Sequence, residues 1–452
     1  MSAAKELAER ALAAVIDAGA LGAEVLVTDT REQSWQTRAG GRMRSNPDIH
    51  TTASHAAGLT LRAYRDGGRT AEHQVNAADL GALQTRLGAA ASHAVAAADA
   101  AAPDPLAGPP DRMDIQTRGM SICDPRRDRL EDDDRRDILS WNWGTARSVN
   151  ARLRPRQFTL EEQLTERSFA SSRGVLATEV STRYRVFGEV TTSARGDDRA
   201  ARGSVTSRHF ADIASRPLGA ELGNRLEAGE RTTRMPAESL PLVIEPHLVA
   251  SLLALLPPAF DATRLENGTS CLRDHFGTRV APSGLHIVDD ASVASGLHTR
   301  AFDDRGVPPI PLPLLRDGVP TGVYVDPEQA RRRDSRPTGH RGRGGRLWAG
   351  NLLLRPGSRT RNMLFADIPR YLVAIDTITP PQLDIETGRL VIDVWLLLDG
   401  HERNPGKLGA YRIETTLNGL LASASQVASD QSRYDGVVAC TVITEGLPLA
   451  AL

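Results

Sequence analysis

The chain has 452 residues with 40% apolar and 25% charged side chains, and a formal net charge of −1. That length exceeds one ordinary core and predicts two or three domains, while the composition excludes a disordered chain. Near-neutral charge provides no global field for nucleic acid, and three separated cysteines, Cys123, Cys271 and Cys440, exclude a disulfide framework or a cysteine-rich zinc module.

Residues 3–18 repeat apolar positions at helical spacing and stop at "DAGALG". The start has no basic region followed by an unbroken apolar one. The longest apolar run is too short to span a bilayer, so a cytoplasmic protein is expected. "AEVLVTDT" (23–30) reads as a strand, with "SWQTRAG" (34–40) as its partner. "AAGLTLRAYRDGGRTAEHQVN" (56–76) is the clearest hairpin: Leu59, Leu61 and Ala63 alternate with polar neighbours, and Asp66-Gly67-Gly68 turns the chain. An alanine-rich helix over 77–102 completes an N-terminal α+β domain, 1–101, and a proline-rich linker follows over 102–123.

The middle region, 124–235, opens with the mixed-charge run "DPRRDRLEDDDRRD", the solvated face or first turn of a helix. Residues 168–194 alternate like one or two long strands around Gly174, and a helix is expected over 207–229. From 236 to 452, "ESLPLVIEP" is a strand entering the apolar helix "EPHLVASLLALLPPAF". Short strands follow at "HIVDD", "GVYVD", "GNLLLRPGS", "RYLVAIDTI", "GRLVIDVWLLLDG", "GAYRIETTL" and "GVVACTVITEGL", with one late helix in "TLNGLLASASQVASD". The fold class expected is α+β: a helix–antiparallel-sheet–helix domain followed by a C-terminal domain on a large curved antiparallel sheet.

Chemistry is sparse in the sequence. Zinc peptidases need two histidines a helical turn apart with an activating acid, and the eleven histidines here do not form that pattern. His50 and His55 lie in what reads as an irregular segment without a glutamate, and "HERNPG" (401–406) lacks a second histidine. Cys271, four residues before His275, has no nucleophile-elbow context and reads as a packed side chain. "RRRDSRPTGHRGRGGR" (331–346) holds seven arginines without interleaved aromatics, which favours a surface loop bordering a groove over a nucleic-acid arm.

An ordered series of motifs gives the C-terminal half a resemblance. It comprises the strand-Glu245-Pro246-helix entry, the S-x-L-x-D-x-x-G-x-x-V run from Ser270 to Val280, and "FDDRGV". "LLRDGVPTGVYVD", "RPTGH" at Arg336–His340 and "NLLLRPG" at Asn351–Gly357 follow. The chain resembles the TldD/TldE (PmbA) metallopeptidase family, whose members were once called modulators of DNA gyrase. In that family a TldD-type subunit carries HExxxH on this helix and binds zinc, and a TldE-type subunit lacks it. Counted from Glu245-Pro246, those positions fall here on Ala254, Leu255 and Ala259, in "ALLPPA". Alanine and leucine cannot ligate a metal, and the prolines break the helix.

The resemblance therefore implies a non-catalytic TldE-like subunit that carries no cofactor of its own. It would pair with a TldD-like zinc subunit, cap a chamber and help bind a peptide. Substrate-groove candidates are Arg316, Asp317, Thr338, Gly339, His340 and Asn351. An alternative is a pair recruited to natural-product biosynthesis, acting on a small amino-acid- or peptide-derived molecule. A gyrase-associated regulator is the weakest reading.

Overall fold

The computed structural model describes residues 2–38, 48–192, 200–227, 231–401 and 406–452. The sequence readings at Ala39–Gly40, Ser193–Ala194, Ala228–Gly229 and Glu402–Pro405 lie outside the described residues.

Helix α1 (Ala3–Asp17) starts where the Ser2 hydroxyl accepts the Lys5 N–H, and it buries Ala4, Leu7, Ala8, Ala11 and Val15. Strands β1 (Gly22–Arg38), β2 (Asp48–Tyr64) and β3 (Thr70–Ala77) follow, then α2 (Leu80–Ala100) and α3 (Asp132–Val149). Next come β4 (Leu153–Ser171), β5 (Leu176–Thr192), β6 (Ala200–Ser207), α4 (Phe210–Ala214) and α5 (Leu218–Glu227). The six strands form one antiparallel sheet in the order β3-β2-β1-β4-β5-β6. The hairpin read at 56–76 is β2–β3, and Gly67 in its turn takes φ 71°. The turn at Gly174, φ 78°, joins β4 to β5.

Three local readings change. "AEVLVTDT" and "SWQT" belong to one 17-residue strand rather than a pair, because β2 and β4 flank β1 along most of its length. His50 and His55 lie on β2, where an odd spacing sends them to opposite faces. The single helix expected over 207–229 is two, since Pro217 has no N–H to carry α4 onward. At domain scale, β1 pairs with β4 from Glu24–Ser171 to Gln36–Thr159, so segments 1–101 and 124–235 share one sheet.

This sheet has two unlike faces. Ala23, Val25 and Val27 pack on α1 and α2, and Trp35, Phe158 and Leu160 pack on α3 and α5. The alternate residues Glu24, Leu26 and Thr28 face the C-terminal half, where Leu26 and Phe169 meet Ala301 and Phe302.

In the C-terminal half, strand Leu242–Ile244 leads into α6 (Pro246–Leu253), which has Pro246 in its first turn. The helix stops at Leu253, and a 3₁₀ turn, Pro257–Phe260, follows as the prolines dictate. Leu248, Val249, Leu252 and Leu253 pack between a nine-stranded and a six-stranded sheet. Both sheets are largely antiparallel, but Leu242–Ile244 runs parallel to Arg370–Thr377, and Asn351–Leu354 runs parallel to Val437–Ala439. "GVYVD" forms no ladder: Tyr324 makes only an isolated bridge with Asp261. The late helix is confined to Leu417–Ser423, because Ala424–Val427 pairs as a strand with Val442–Thr444. Among the described residues no helix is long and apolar enough to cross a membrane.

Candidate functional site

Ala254 caps α6 and is exposed, Leu255 is half-buried, and Ala259 is 0% exposed in the following turn. None offers a lone pair for a metal, and the helix that would align three ligands has ended before the first of them. The nearby His247 is committed elsewhere. Its Nε2–H donates to the Ile375 carbonyl at 3.1 Å, and burial, helped by Arg225, lowers its pKa to about 3, so the ring is neutral. Among the described residues no three His, Cys, Asp or Glu side chains converge as a metal-binding group. Burial also raises the Cys271 thiol pKa, the reverse of what a nucleophile needs.

The six groove candidates separate into two places. Arg316 and Asp317 sit on an exposed hairpin turn, with Asp317 at φ 50° and 3.2 Å from His286. Thr338, Gly339, His340 and Asn351 form an interior layer. The Thr338 hydroxyl accepts the Val325 N–H at 3.1 Å and donates to its carbonyl at 3.3 Å. Gly339 has φ 74°, and a Cβ there would stand 2.5 Å from the Pro309 backbone. His340 is 0% exposed, edge-on to Tyr324 with centroids 5.0 Å apart, and its Nε2 lies 3.4 Å from Asp289. Asp289 accepts the Tyr324 hydroxyl at 2.6 Å and the Gly350 N–H at 2.8 Å. The Asn351 amide donates to the Asp290 carbonyl and to Thr299, and accepts the His298 N–H. In the isolated chain these four residues brace the segment above them and are closed to solutes.

That segment is the arginine-rich one, and it meets the polar face of the N-terminal sheet. Arg305 bridges Glu24 (2.7 and 3.1 Å) and Glu328 (3.0 and 2.9 Å) and donates to the Tyr64 hydroxyl at 2.9 Å. Burial works against the Glu328 carboxylate, but Arg305 outweighs it and holds the Glu328 pKa below its ordinary value. Arg167 on β4 pairs with Glu179 and with Asp304 at 2.6 Å, and stacks 4.6 Å from the Trp348 ring centre. Arg300 lies 4.2 Å from the same ring and donates to the carbonyls of Gly339, Trp348 and Ala349. Arg331 clamps the linker through the carbonyls of Leu106, Gly108 and Pro109. Between Thr28 and the Gly342–Trp348 segment remains a cavity of about 380 Å³ lined by Thr28, Arg167, Asp304, Arg343, Arg346 and Trp348. Beyond it the sheet face continues with half-buried Thr30, Glu32, Gln163 and Thr165.

Glu24 and Arg167 belong to none of the motifs read in the sequence, and Asp304–Arg305 lie in "FDDRGV", which was read as a mark of resemblance rather than as a site. Glu24 had one legible signal, a lone carboxylate in an otherwise apolar strand start.

Several solved structures share the whole fold. A candidate modulator of DNA gyrase from Bacteroides thetaiotaomicron superposes with a TM-score of 0.83 at 17% identity, covering 99% of both chains. TldE from Thermococcus kodakarensis superposes at 0.84 and 17% identity, covering 98% of this chain and 100% of that one. In sequence, the metalloprotease PmbA of Escherichia coli O157:H7 is 23% identical over 175 residues, 38% of this chain and 39% of that protein. A metalloprotease of Methanothermobacter thermautotrophicus is 26% identical over 212 residues, 44% and 46% of the two chains. The alignments thus span less than half of each relative. The family model of the PmbA/TldA metallopeptidase C-terminal domain matches residues 237–451. The chain is an α+β protein with the fold of TldE, and residues 237–451, just under half of it, resemble the TldD/TldE (PmbA) family through its C-terminal domain.

Proposed function

We propose that this chain is the non-catalytic, TldE-type subunit of a heterodimer with a TldD-like zinc subunit, capping a chamber that admits peptide. The observation that carries the reading is hydrocarbon at Ala254, Leu255 and Ala259, which follow a helix that ends at Leu253. A zinc ion needs at least three nitrogen, oxygen or sulfur donors, and these residues do not fit one, so no hydrolytic step is assigned to this chain. Its own contribution is shape. The polar sheet face with Thr30, Glu32, Gln163 and Thr165 suits a chamber wall, and the edge strands β3 and β6 suit main-chain pairing with an extended substrate.

Co-expression with a TldD-like partner tests the reading. The expected result is a stable complex whose zinc content equals that of the partner alone, with peptidase activity absent from this chain by itself. Stoichiometric zinc and turnover by this chain alone would refute it.

A further inference from the structure

The cavity between the sheet face and the arginine-rich segment has a charge pattern that the subunit reading does not require. Arg343 and Arg346 line it, and among the described residues neither forms an ion pair. Arg343 donates only to the neutral Thr28 hydroxyl, and the exposed Arg346 side chain makes no hydrogen bond among the described residues. Other arginines around the cavity and between the halves are held by the protein itself: Arg305 and Arg167 by carboxylates, and Arg208, Arg300 and Arg331 by two or more backbone carbonyls each. Glu72, at the rim through the Gly344 N–H at 3.0 Å, is itself paired with Arg62.

Two features indicate that the cavity is built to stay open. Gly58, beside Thr28, leaves room for the Arg343 guanidinium, since a Cβ at 58 would lie 3.0 Å from its nitrogens and 2.8 Å from the Thr28 hydroxyl. On the opposite wall Trp348 is pinned by Arg167 and Arg300 and cannot fold across the space.

We propose that this cavity is a binding site for a monocarboxylate. The lining holds the Arg167, Arg343 and Arg346 guanidiniums and the Asp304 carboxylate, and with Glu179 paired to Arg167 these five groups sum to one positive charge. Two guanidinium forks match the two oxygens of a carboxylate. A phosphate dianion would bring a second negative charge towards Asp304, which already lines the wall. A volume of about 380 Å³ accepts a short acid or the last residues of a peptide, the polar sheet face offering the latter a path. The site lies on this chain alone, so it is tested without the partner, and its failure is distinct from failure to form the heterodimer.

Calorimetric titration of the full chain with N-acetyl-tetraalanine, its C-terminal amide, benzoate and inorganic phosphate tests the proposal. A carboxylate probe is expected to bind at least about ten-fold more tightly than the amide and than phosphate, as loss of a charge-assisted pair requires. Tighter binding of the peptide acid assigns the natural source to a chain end, and tighter binding of benzoate assigns it to a free small acid. Arg343→Ala and Arg346→Ala should each weaken the carboxylate by about ten-fold. Arg346 makes no side-chain bond within the described residues, so its loss leaves the fold intact. Equal binding of acid and amide, binding by neither carboxylate, or an unchanged affinity in the double variant overturns the proposal.

Discussion

Arg305 meets Glu24, Tyr64 and Glu328 where three distant parts of the chain converge, with Glu24 buried beside it and Glu328 half-buried. Removing the cation alone leaves the buried Glu24 and the half-buried Glu328 without compensation. Arg305→Ala should therefore lower unfolding free energy by about 3–5 kcal/mol, read from the urea midpoint. The triple change Glu24→Leu, Arg305→Met, Glu328→Leu should cost much less, because it removes the desolvated charges together. The neutral histidines make a second prediction at this scale. Burial, with Arg225 adding to it, lowers His247 to about 3, and burial with Arg300 and Arg208 lowers His298 to about 4. Both folded values lie below the unfolded value near 6.5, so the unfolded chain takes up protons first as pH falls. The stability each contributes is present above pH 6.5 and lost below it, at most about 2 kcal/mol per ring between pH 7 and 5. Denaturation at both pH values, with His247→Gln keeping the bond to Ile375, should show the variant less acid-sensitive than the parent.

Among the elements, α6 shows how far sequence carries. Its Glu245-Pro246 start and apolar body are local features that appear where they were read, but the helix ends at Leu253, one turn before the Pro257-Pro258 pair read as its stop. The β2–β3 hairpin was equally legible because alternation and the Asp66-Gly67-Gly68 turn lie within one short window. The length of β1 was not legible. Beyond Val27 its second face is polar, Thr28, Thr30, Glu32, so alternation no longer reads as strand, and its pairing with β4 is set by residues far along the chain. The same limit hid the burial of Thr338, His340 and Asn351, polar residues whose partners Val325, Asp289 and Thr299 come from other loops and strands. Restoring the family's ligands tests whether α6 could host a metal. Ala254→His with Leu255→Glu and Ala259→His should bind no stoichiometric zinc, because the helix ends before 254 and position 259 has no space. Overpacking at Ala259 should also cost about 1–3 kcal/mol, seen as a lowered urea midpoint. Tight zinc uptake with unchanged stability would show the helix frame to be intact.

At the scale of the whole molecule, the N-terminal sheet is covered on one side by α1, α2, α3 and α5 and on the other by the C-terminal half. The second contact is unusual in joining an apolar patch to a lattice of arginines. Leu26 and Phe169 bury against Ala301 and Phe302, while Arg305, Arg167 and Arg331 cross between the halves and the Arg208 guanidinium donates to carbonyls of residues 296, 297 and 299. A sheet built this way has no finished surface of its own. Residues 1–235 expressed alone would expose the Leu26–Phe169 patch and take Asp304 and Arg305 away from Arg167 and Glu24. Loss of burial costs about 1.5–3 kcal/mol for each large apolar side chain, against a net stability of about 5–15 kcal/mol for an ordinary domain. The fragment should therefore lack a cooperative urea transition, whereas the full chain should unfold with coincident far-ultraviolet circular dichroism and tryptophan fluorescence curves. Trp35 and Trp143 report one half and Trp348 and Trp395 the other, so a split between the probes would show that the arginine lattice does not couple them.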